Sequence, residues 1–306
     1  MRRVLISDFD ETITEEDTIK VLGRLPYKLD PDFEPKWEHF SDNYMEGWSR
    51  FSVESPQREL PLAQLTHGGI TIGNYKRILK SEFDYQHFNR KIELNSTNEL
   101  TKCNVFQGIT LEQMEHFARS CLLDGTVRIR RGFQELLTTK FDRENFYILS
   151  VNWSKEFIGF CVGEDKIDPA NISCNTLKLV NGTYDGAFTN TVVTGSDKVV
   201  TLERLLQPEG KTLFNDDDIW YVGDSETDIL SILHPLVNGV LLLDPSENAK
   251  KFTKITGAVL GINEGLLQDY MTNPNTEAVE LTQFKKELGK KVYLVKSWEA
   301  LDKLIV

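Results

Sequence analysis

Short apolar runs, each followed by small or acidic residues, constrain the fold of this 306-residue chain most strongly. Continuous apolar strands of this length are typical of a sheet that is covered on both faces. Helical patterns lie between the runs, at 153–162, 198–206 and 227–233. The alternation predicts an α/β fold with a doubly wound, mainly parallel sheet. The runs themselves lie at 4–6, 146–149, 219–222, 240–243 and 292–295.

Charge and composition exclude several classes of protein. The chain has 35 basic and 47 acidic residues, a net charge of −12, which disfavours non-specific binding to nucleic acid. The first apolar run is too short for a signal peptide, and no stretch approaches the roughly 18 apolar residues that span a bilayer. The four cysteines are far apart, without a CxxC pair, which indicates reduced thiols. We expect a cytoplasmic protein without nucleic-acid or membrane partners; the sequence sets no oligomeric state.

The segment between the first two predicted strands is too long to be a loop in a compact domain. Because it holds several helical patterns, we predict an inserted helical cap domain at 16–130 and a core domain made of 1–15 plus 131–306. Aromatic residues recur in the cap at steps of three and four, as on one face of an amphipathic helix. These rings either form the core of the cap or face the active site and stack on a planar substrate. They are Trp37, Phe40, Tyr44, Trp48 and Phe51.

Two local patterns predict further elements. Asn181-Gly182 lies between strand-like stretches and predicts a β-hairpin. Ser297 is a good N-cap for a closing helix, and we interpret the run at 292–295 before it as an edge strand.

Acidic residues follow two of the predicted strands. The first run leads into Asp8 and Asp10, which point to one face if the strand continues regularly. The run at 219–222 leads into Asp224, with Asp228 near the start of the next helix. Crowded carboxylates repel one another, and some become protonated unless a cation binds. Because Mg²⁺ prefers carboxylates, waters and phosphate oxygens, these acids predict a magnesium site.

Two further residues predict an anion site beside these acids. Ser150 directly follows the run at 146–149 and precedes a predicted helix. A hydroxyl group together with free N–H groups at a helix N-terminus binds anions. Lys198 opens the next helix and adds positive charge, although a lysine there can also be a simple surface residue.

Taken together, these elements resemble the haloacid dehalogenase (HAD) superfamily. Its DxDx(T/V), Ser/Thr, Lys and GDxxxD motifs match, in this order, Asp8, Asp10 and Thr12; Ser150; Lys198; and Gly223, Asp224 and Asp228. The resemblance implies a Rossmann-like core with a C1-type helical cap. The hairpin resembles that of the phosphoserine-phosphatase-like branch. An aromatic cap similar to this one occurs in HAD domains of plant thiamine monophosphate phosphatases and in fungal relatives.

The resemblance also implies roles for single residues. Asp8 is the expected nucleophile, which forms an aspartyl-phosphate, and Asp10 the general acid and base. Ser150 and Lys198 are expected to bind the phosphate, together with Val151 and Asn152. The expected magnesium ligands are Asp8, Asp10 through its backbone carbonyl, Asp224 and Asp228. The candidate substrate-binding residues are Trp37, Tyr44, Trp48 and Trp153.

The second motif departs from the family pattern. Trp153 lies in a stretch where the phosphoserine phosphatases usually have glycines, so its bulk is expected to reshape the pocket. We therefore expect a Mg²⁺-dependent phosphatase of a small-molecule phosphomonoester, for example a planar metabolite such as thiamine monophosphate. The alternatives are a non-catalytic HAD-fold binding or regulatory protein and a phosphotransferase.

Overall fold

The computed structural model describes residues 2–207 and 217–305. Its strands are β1 (Arg3–Ser7), β2 (Phe146–Leu149), β3 (Ile172–Ser173), β4 (Leu177–Val180), β5 (Thr183–Phe188), β6 (Asp218–Gly223), β7 (Asn238–Leu242), β8 (Ala278–Glu280) and β9 (Val292–Val295). Seven of these described strands form one sheet in the order β3-β2-β1-β6-β7-β9-β8. Every neighbouring pair is parallel except β8 and β9. The predicted α/β class with a mainly parallel, doubly wound sheet is confirmed.

Helices cover both faces of this sheet. They are α1 (Ile19–Leu22), α2 (Leu25–Leu29), α3 (Trp37–Glu54), α4 (Leu62–Thr66), α5 (Tyr75–Ile78), α6 (Lys80–Lys102), α7 (Leu111–Leu123), α8 (Phe133–Lys140), α9 (Lys155–Val162), α10 (Gly195–Leu206), α11 (Ile229–Ile232), α12 (Ala249–Thr253), α13 (Glu264–Thr272) and α14 (Trp298–Asp302). On β1, Leu5 packs in a cluster with α7, α8 and α9. Its neighbours Val4 and Ile6 pack in a second cluster with α10 and α11. This alternation explains why the central strands are apolar throughout.

Helices α1 to α7 all lie between β1 and β2, in the segment that we interpret as a cap. Its two ends meet where Thr14 pairs with Ile129 in an antiparallel bridge. Part of this segment contacts the core domain. Ile70 forms a bridge with Lys286, and the buried Tyr75 hydroxyl donates a hydrogen bond to the carbonyl oxygen of Leu230 at 2.6 Å. The division into two domains stays a prediction.

Two elements near the sheet test the local patterns. Strands β4 and β5 pair antiparallel around Asn181-Gly182, which confirms the predicted hairpin. The Ser297 side chain accepts a hydrogen bond from the Ala300 N–H at the start of α14, as expected for an N-cap. The interpretation of β9 as an edge strand is wrong, because β8 pairs beside it. Strand β8 has only three residues, too few for a recognisable apolar run in the sequence.

Two further findings concern membrane-spanning helices and the cysteines. Among the residues that the structure describes, no helix combines the length and apolarity that crossing a membrane requires. All four cysteines are free thiols, and three of them are buried.

The last helix is fastened to the loop that follows β1. Trp298, at the start of α14, is fully buried, and its indole N–H donates a hydrogen bond to the carbonyl oxygen of Thr12 at 2.9 Å. A buried carbonyl group that loses its partner costs about 1–3 kcal/mol. Because Thr12 lies just after the acidic pair, this contact helps to fix the loop that carries the candidate nucleophile.

We therefore expect Trp298→Phe to lower the free energy of unfolding by about 1–3 kcal/mol more than Trp220→Phe does. Both changes shrink a buried indole ring, but the Trp220 N–H has no hydrogen-bond partner among the described residues. Urea-induced unfolding of the two variants measures the difference. Equal losses of stability would show that the bond to Thr12 contributes nothing.

Candidate active site

The candidate residues converge because the strands that carry them are neighbours. Strands β1 and β6 pair in parallel, with Ser7 beside Val222, so Asp8 and Asp224 leave the sheet side by side. Ser150 follows β2, which pairs with β1 on its other side. The chain winds in opposite directions from β1, and such a switch point is where ligands bind in open α/β sheets.

A buried ammonium group connects two of the acids. Lys198 has no solvent exposure, and its Nζ lies 2.8 Å from Asp8 Oδ2 and 2.7 Å from Asp228 Oδ1. Burial alone lowers the pKa of Lys198, but Asp228 and Asp8 outweigh this effect and raise the pKa above its ordinary value. The lysine is therefore a fixed positive charge beside the candidate nucleophile, not a surface residue.

Hydrogen bonds from β6 and from the loop that follows it fix the Asp228 carboxylate. Its Oδ1 also accepts from the Tyr221 hydroxyl at 2.7 Å, and its Oδ2 from the Ser225 hydroxyl at 2.8 Å. Burial opposes its ionisation, but Lys198 and these hydrogen bonds hold the pKa of Asp228 below the ordinary value. Gly223 leaves the space for this side chain, since a Cβ there would lie 2.3 Å from the Asp228 Cγ atom.

Asp224 has partners that the sequence did not indicate. Its Oδ1 accepts from the Thr12 hydroxyl at 2.6 Å, and its Oδ2 forms an ion pair with Lys251 from α12. Lys251 also reaches Glu11 Oε2 at 3.0 Å. Thr12 is thus a positioning residue of the first motif. Lys251 lies outside the motifs, so only the folded arrangement reveals it.

The three acids fit a divalent cation. Asp8, Asp224 and Asp228 each offer a carboxylate oxygen, and these atoms lie within 4.8 Å of one another. Burial raises the pKa of Asp8 well above its ordinary value, and the charge of Asp228 raises it further. Burial likewise raises the pKa of Asp224 to about 6, against the opposing effect of Lys251. The cluster is therefore short of positive charge, and a hard cation with oxygen ligands such as Mg²⁺ suits it.

The Asp10 carboxylate is not part of this cluster, and the expected role of its backbone carbonyl as a magnesium ligand stays a prediction. The strand ends at Ser7, and the Asp10 carboxylate accepts from the Thr18 N–H at 2.7 Å and from Asn152 Nδ2 at 2.9 Å. Burial and the charge of Asp17 raise the pKa of Asp10 to about 6. A carboxyl group with this pKa can both donate and accept a proton near neutral pH.

The loop after β2 divides its tasks among its residues. Ser150 and Asn152 are fully buried, and the Ser150 Oγ accepts from the Asn152 N–H at 3.2 Å. The Asn152 amide group is occupied by other partners, because it donates to Asp10 and accepts from the Trp153 N–H at 2.7 Å. Its side chain therefore orients the Asp10 carboxylate. Within the described residues no group accepts the Ser150 hydroxyl hydrogen, which leaves it available to a ligand.

A cavity of about 590 Å³ lies between the cap segment and the strand-end loops. Its lining includes Val151 and Thr194 from the loops before α9 and α10, and Tyr44 and Trp48 from α3. Trp37 and Trp153 are not among the lining residues; their rings lie 6.4 Å apart and pack against each other. The stripe on α3 thus serves both purposes, with two rings at the cavity and Phe40 and Phe51 buried.

The cavity wall formed by α6 carries a carboxyl group. Glu93 Oε1 accepts from the Tyr44 hydroxyl at 2.8 Å, and both residues line the cavity. Burial raises the pKa of Glu93 from 4.5 to about 7, and the bond from Tyr44 opposes this only in part. Apart from its position in a long helical segment, no sequence signal distinguishes Glu93.

Comparison with known proteins identifies the relatives of this chain. No family model matches it. It is 42% identical to cold tolerance protein 1 of Saccharomyces cerevisiae over 327 aligned positions, which cover 100% of this chain and 98% of the relative. The chain belongs to the cold tolerance protein 1 (CTO1) family. A CTO1 family protein of Schizosaccharomyces pombe is 24% identical over 242 residues, which cover 73% of this chain and 76% of that protein.

Some solved structures resemble this chain at low sequence identity. A phosphoserine phosphohydrolase-like protein from Francisella tularensis is 13% identical with a TM-score of 0.46, covering 89% of this chain and 100% of that one. Cytosolic 5'-nucleotidase IIIB bound to cytidine is 14% identical with a TM-score of 0.44, over 85% and 79% of the two chains. These likenesses are remote, and the residues of the site are the better guide to function. The structure places Asp8, Ser150 and Asp224 after neighbouring strands and Lys198 on α10; membership of the HAD superfamily and of its phosphoserine-phosphatase-like branch stays a prediction.

The first prediction from the site concerns Lys251. Because its ammonium group occupies a carboxylate oxygen of Asp224, it competes with a cation that binds there. We expect Lys251→Met to lower the dissociation constant for Mg²⁺ about tenfold, measured by titration calorimetry. Lys250→Met is the control, since it removes the same charge from an exposed position of the same helix. Unchanged or weaker Mg²⁺ binding in Lys251→Met would contradict the competition.

The second prediction concerns Glu93 and pH. Because folding raises its pKa from 4.5 to about 7, the folded protein binds more protons than the unfolded chain in this range, and stability falls as pH rises. Glu93→Gln keeps an acceptor for Tyr44 without the charge. We expect it to raise Tm at pH ~8 by about 2–4 °C, the effect of about 1 kcal/mol in a chain of this size, and not at pH ~4.5. A gain that does not depend on pH would show that the charge has no cost.

Proposed function

We propose that this protein is a magnesium-dependent phosphatase that hydrolyses a small-molecule phosphomonoester through an aspartyl-phosphate on Asp8. The observation that carries the proposal is the buried contact between Lys198 Nζ and Asp8 Oδ2 at 2.8 Å, beside two further buried acids. Phosphoryl transfer depends mainly on positioning and on neutralising charge, and this site is built for both.

A hydrogen bond and an ion pair from neighbouring residues orient the carboxylate of the proposed nucleophile, Asp8. Asp8 Oδ1 accepts from the Phe9 N–H at 2.7 Å, while Oδ2 faces Lys198. These contacts fix the carboxylate plane, so that one oxygen attacks phosphorus while the other stays bound. The Lys198 ammonium and the Ser150 hydroxyl stabilise the phosphoryl oxygens as charge develops on them. Asp8, Asp224, Asp228 and the backbone carbonyl of Asp10 would hold a magnesium ion, which would supply further positive charge to these oxygens.

In this proposal Asp10 is the general acid and base. Held by Thr18 and Asn152, its carboxyl group donates a proton to the leaving oxygen and later accepts one from the attacking water. Its raised pKa of about 6 keeps a useful fraction protonated near neutral pH. Residues of the cap segment and of the core loops both line the cavity, and closure of the cap there excludes bulk water during transfer.

The cavity favours a planar leaving group. Tyr44 and Trp48 both line it, and their rings meet nearly at right angles, with centroids 6.3 Å apart. A flat ring can stack on one of these faces while its phosphate points to the strand-end loops, which contribute Val151, Thr194 and Ser225 to the lining. Thiamine monophosphate is a suitable first test compound. We also propose a cytoplasmic location, which the four free cysteines support.

We expect Asp8→Asn to lower the turnover of an aryl phosphate by about 1,000-fold or more, because it removes the attacking charge without changing the shape of the side chain. Its Tm should stay close to that of the wild type, since burial already disfavours the charged form of Asp8. Asp185→Asn, at an exposed position of β5, is the control and should keep full activity. Phosphate release with Mg²⁺ present measures both.

Two outcomes would favour other functions. Equal phosphate release by Asp8→Asn and the wild type would remove the nucleophile, and tight binding without turnover would indicate a non-catalytic binding protein. Transfer of phosphate to an added alcohol in preference to water would indicate a phosphotransferase.

A further inference from the structure

Helix α6 presents a polar face to the core and the cavity. Glu82, Gln86, Asn89 and Glu93 recur at steps of four, three and four, so they lie along one side of the helix. The first two are occupied by the protein itself. Glu82 accepts from Arg58 at 2.9 Å, and Gln86 accepts from the Gly195 N–H at 3.2 Å. They fasten α6 to the core.

The next residue on this face has an unused acceptor. Asn89 lines the cavity and is only 8% exposed, yet its Oδ1 has no hydrogen-bond partner in the described part of the chain. Buried polar groups are nearly always paired, and an unpaired one calls for an explanation. A hydrogen-bond donor on a bound ligand would supply the missing partner.

One turn further along, Glu93 has an unbalanced charge. Within residues 2–207 and 217–305, no lysine or arginine forms an ion pair with it. Of the three lysines that line the same cavity, Lys251 is engaged with Asp224 and Lys254 with Glu226, and the third, Lys250, forms no ion pair with Glu93 in the described part of the chain. Burial raises the pKa of Glu93 to about 7, so a cation nearby would stabilise its charged form.

Aromatic rings complete this end of the cavity. Tyr44 and Trp48 form a corner beside Glu93, and Tyr85 lies on α6 itself. Tyr85 already holds one cation, because the Arg58 guanidinium carbon lies 4.0 Å from its ring centroid. Ring faces attract cations, and a neighbouring carboxylate strengthens the attraction.

We propose that Asn89, Glu93, Tyr44 and Trp48 form a subsite for a positively charged nitrogen group with N–H donors on the leaving group of the substrate. The ammonium or protonated amino group pairs with the Glu93 carboxylate, one N–H donates to Asn89 Oδ1, and the rings enclose the charge. This inference rests on the proposed phosphatase function for the position of the phosphate. It goes further by naming the chemical class of the leaving group.

The test uses two substrates that differ in one group. The compounds para-(aminomethyl)benzyl phosphate and para-ethylbenzyl phosphate have nearly the same shape, but only the first has an ammonium group. We expect the wild type to prefer the first by about tenfold or more in kcat/KM. In Glu93→Gln the ratio should fall to near one. Asp84→Asn, at an exposed position of the same helix, removes the same charge and should keep the preference.

A binding measurement separates the subsite from the catalytic proposal. Calorimetry with the two corresponding alcohols needs no turnover, and para-(aminomethyl)benzyl alcohol should bind the wild type at least about tenfold more tightly than para-ethylbenzyl alcohol. The preference should disappear in Glu93→Gln. Equal binding of the alcohols to the wild type, or a preference that survives in Glu93→Gln, would overturn the subsite. If the alcohols behave as expected but neither phosphate is hydrolysed, the phosphatase function fails and the subsite stands.

Discussion

The Lys198 ammonium group is the interaction on which the site depends. Three carboxyl groups are buried within a few ångströms of one another at the ends of β1 and β6, an arrangement that their mutual repulsion would otherwise oppose. Lys198 contacts two of them and Lys251 contacts the third. Removing one partner from such a group leaves an uncompensated buried charge, which is costly. The three acids can therefore lie this close together because α10 places Lys198 against Asp8 and Asp228.

The sheet and the motif positions were predictable because their cause is local. A parallel sheet that is covered on both faces needs continuous apolar strands, and these are visible as runs in the sequence. Because parallel strands end at the same edge, the residues that follow them must meet, which explains why Asp8, Ser150 and Asp224 could be placed. Strand β8 was missed, since three residues produce no periodic signal. Without a signal for β8, the sequence predicts β9 at the edge of the sheet, a position that β8 occupies in the structure.

The partners of the site residues were not predictable, because they depend on tertiary contacts. Lys251 is one of several lysines in its segment, and nothing distinguishes it until α12 lies beside Asp224. Asn152 is predicted to help bind phosphate, which stays a prediction, and the contact of its side chain with Asp10 depends on the folded arrangement. The aromatic stripe on α3 was recognised as a helix face, but its division between cavity and packing follows from which neighbours surround each ring. Glu93 shows the same limit, since burial sets its properties.

The contact between Trp298 and Thr12 has a consequence for how the protein is made. The two residues are 286 positions apart, so the loop behind the candidate nucleophile gains its final support only after nearly the whole described chain has left the ribosome. Asp8 emerges more than two hundred residues before β6, the strand that pairs beside β1. A nascent chain therefore carries the Asp8 loop without the residues that surround it in the folded protein. The order of synthesis delays the assembly of the candidate site.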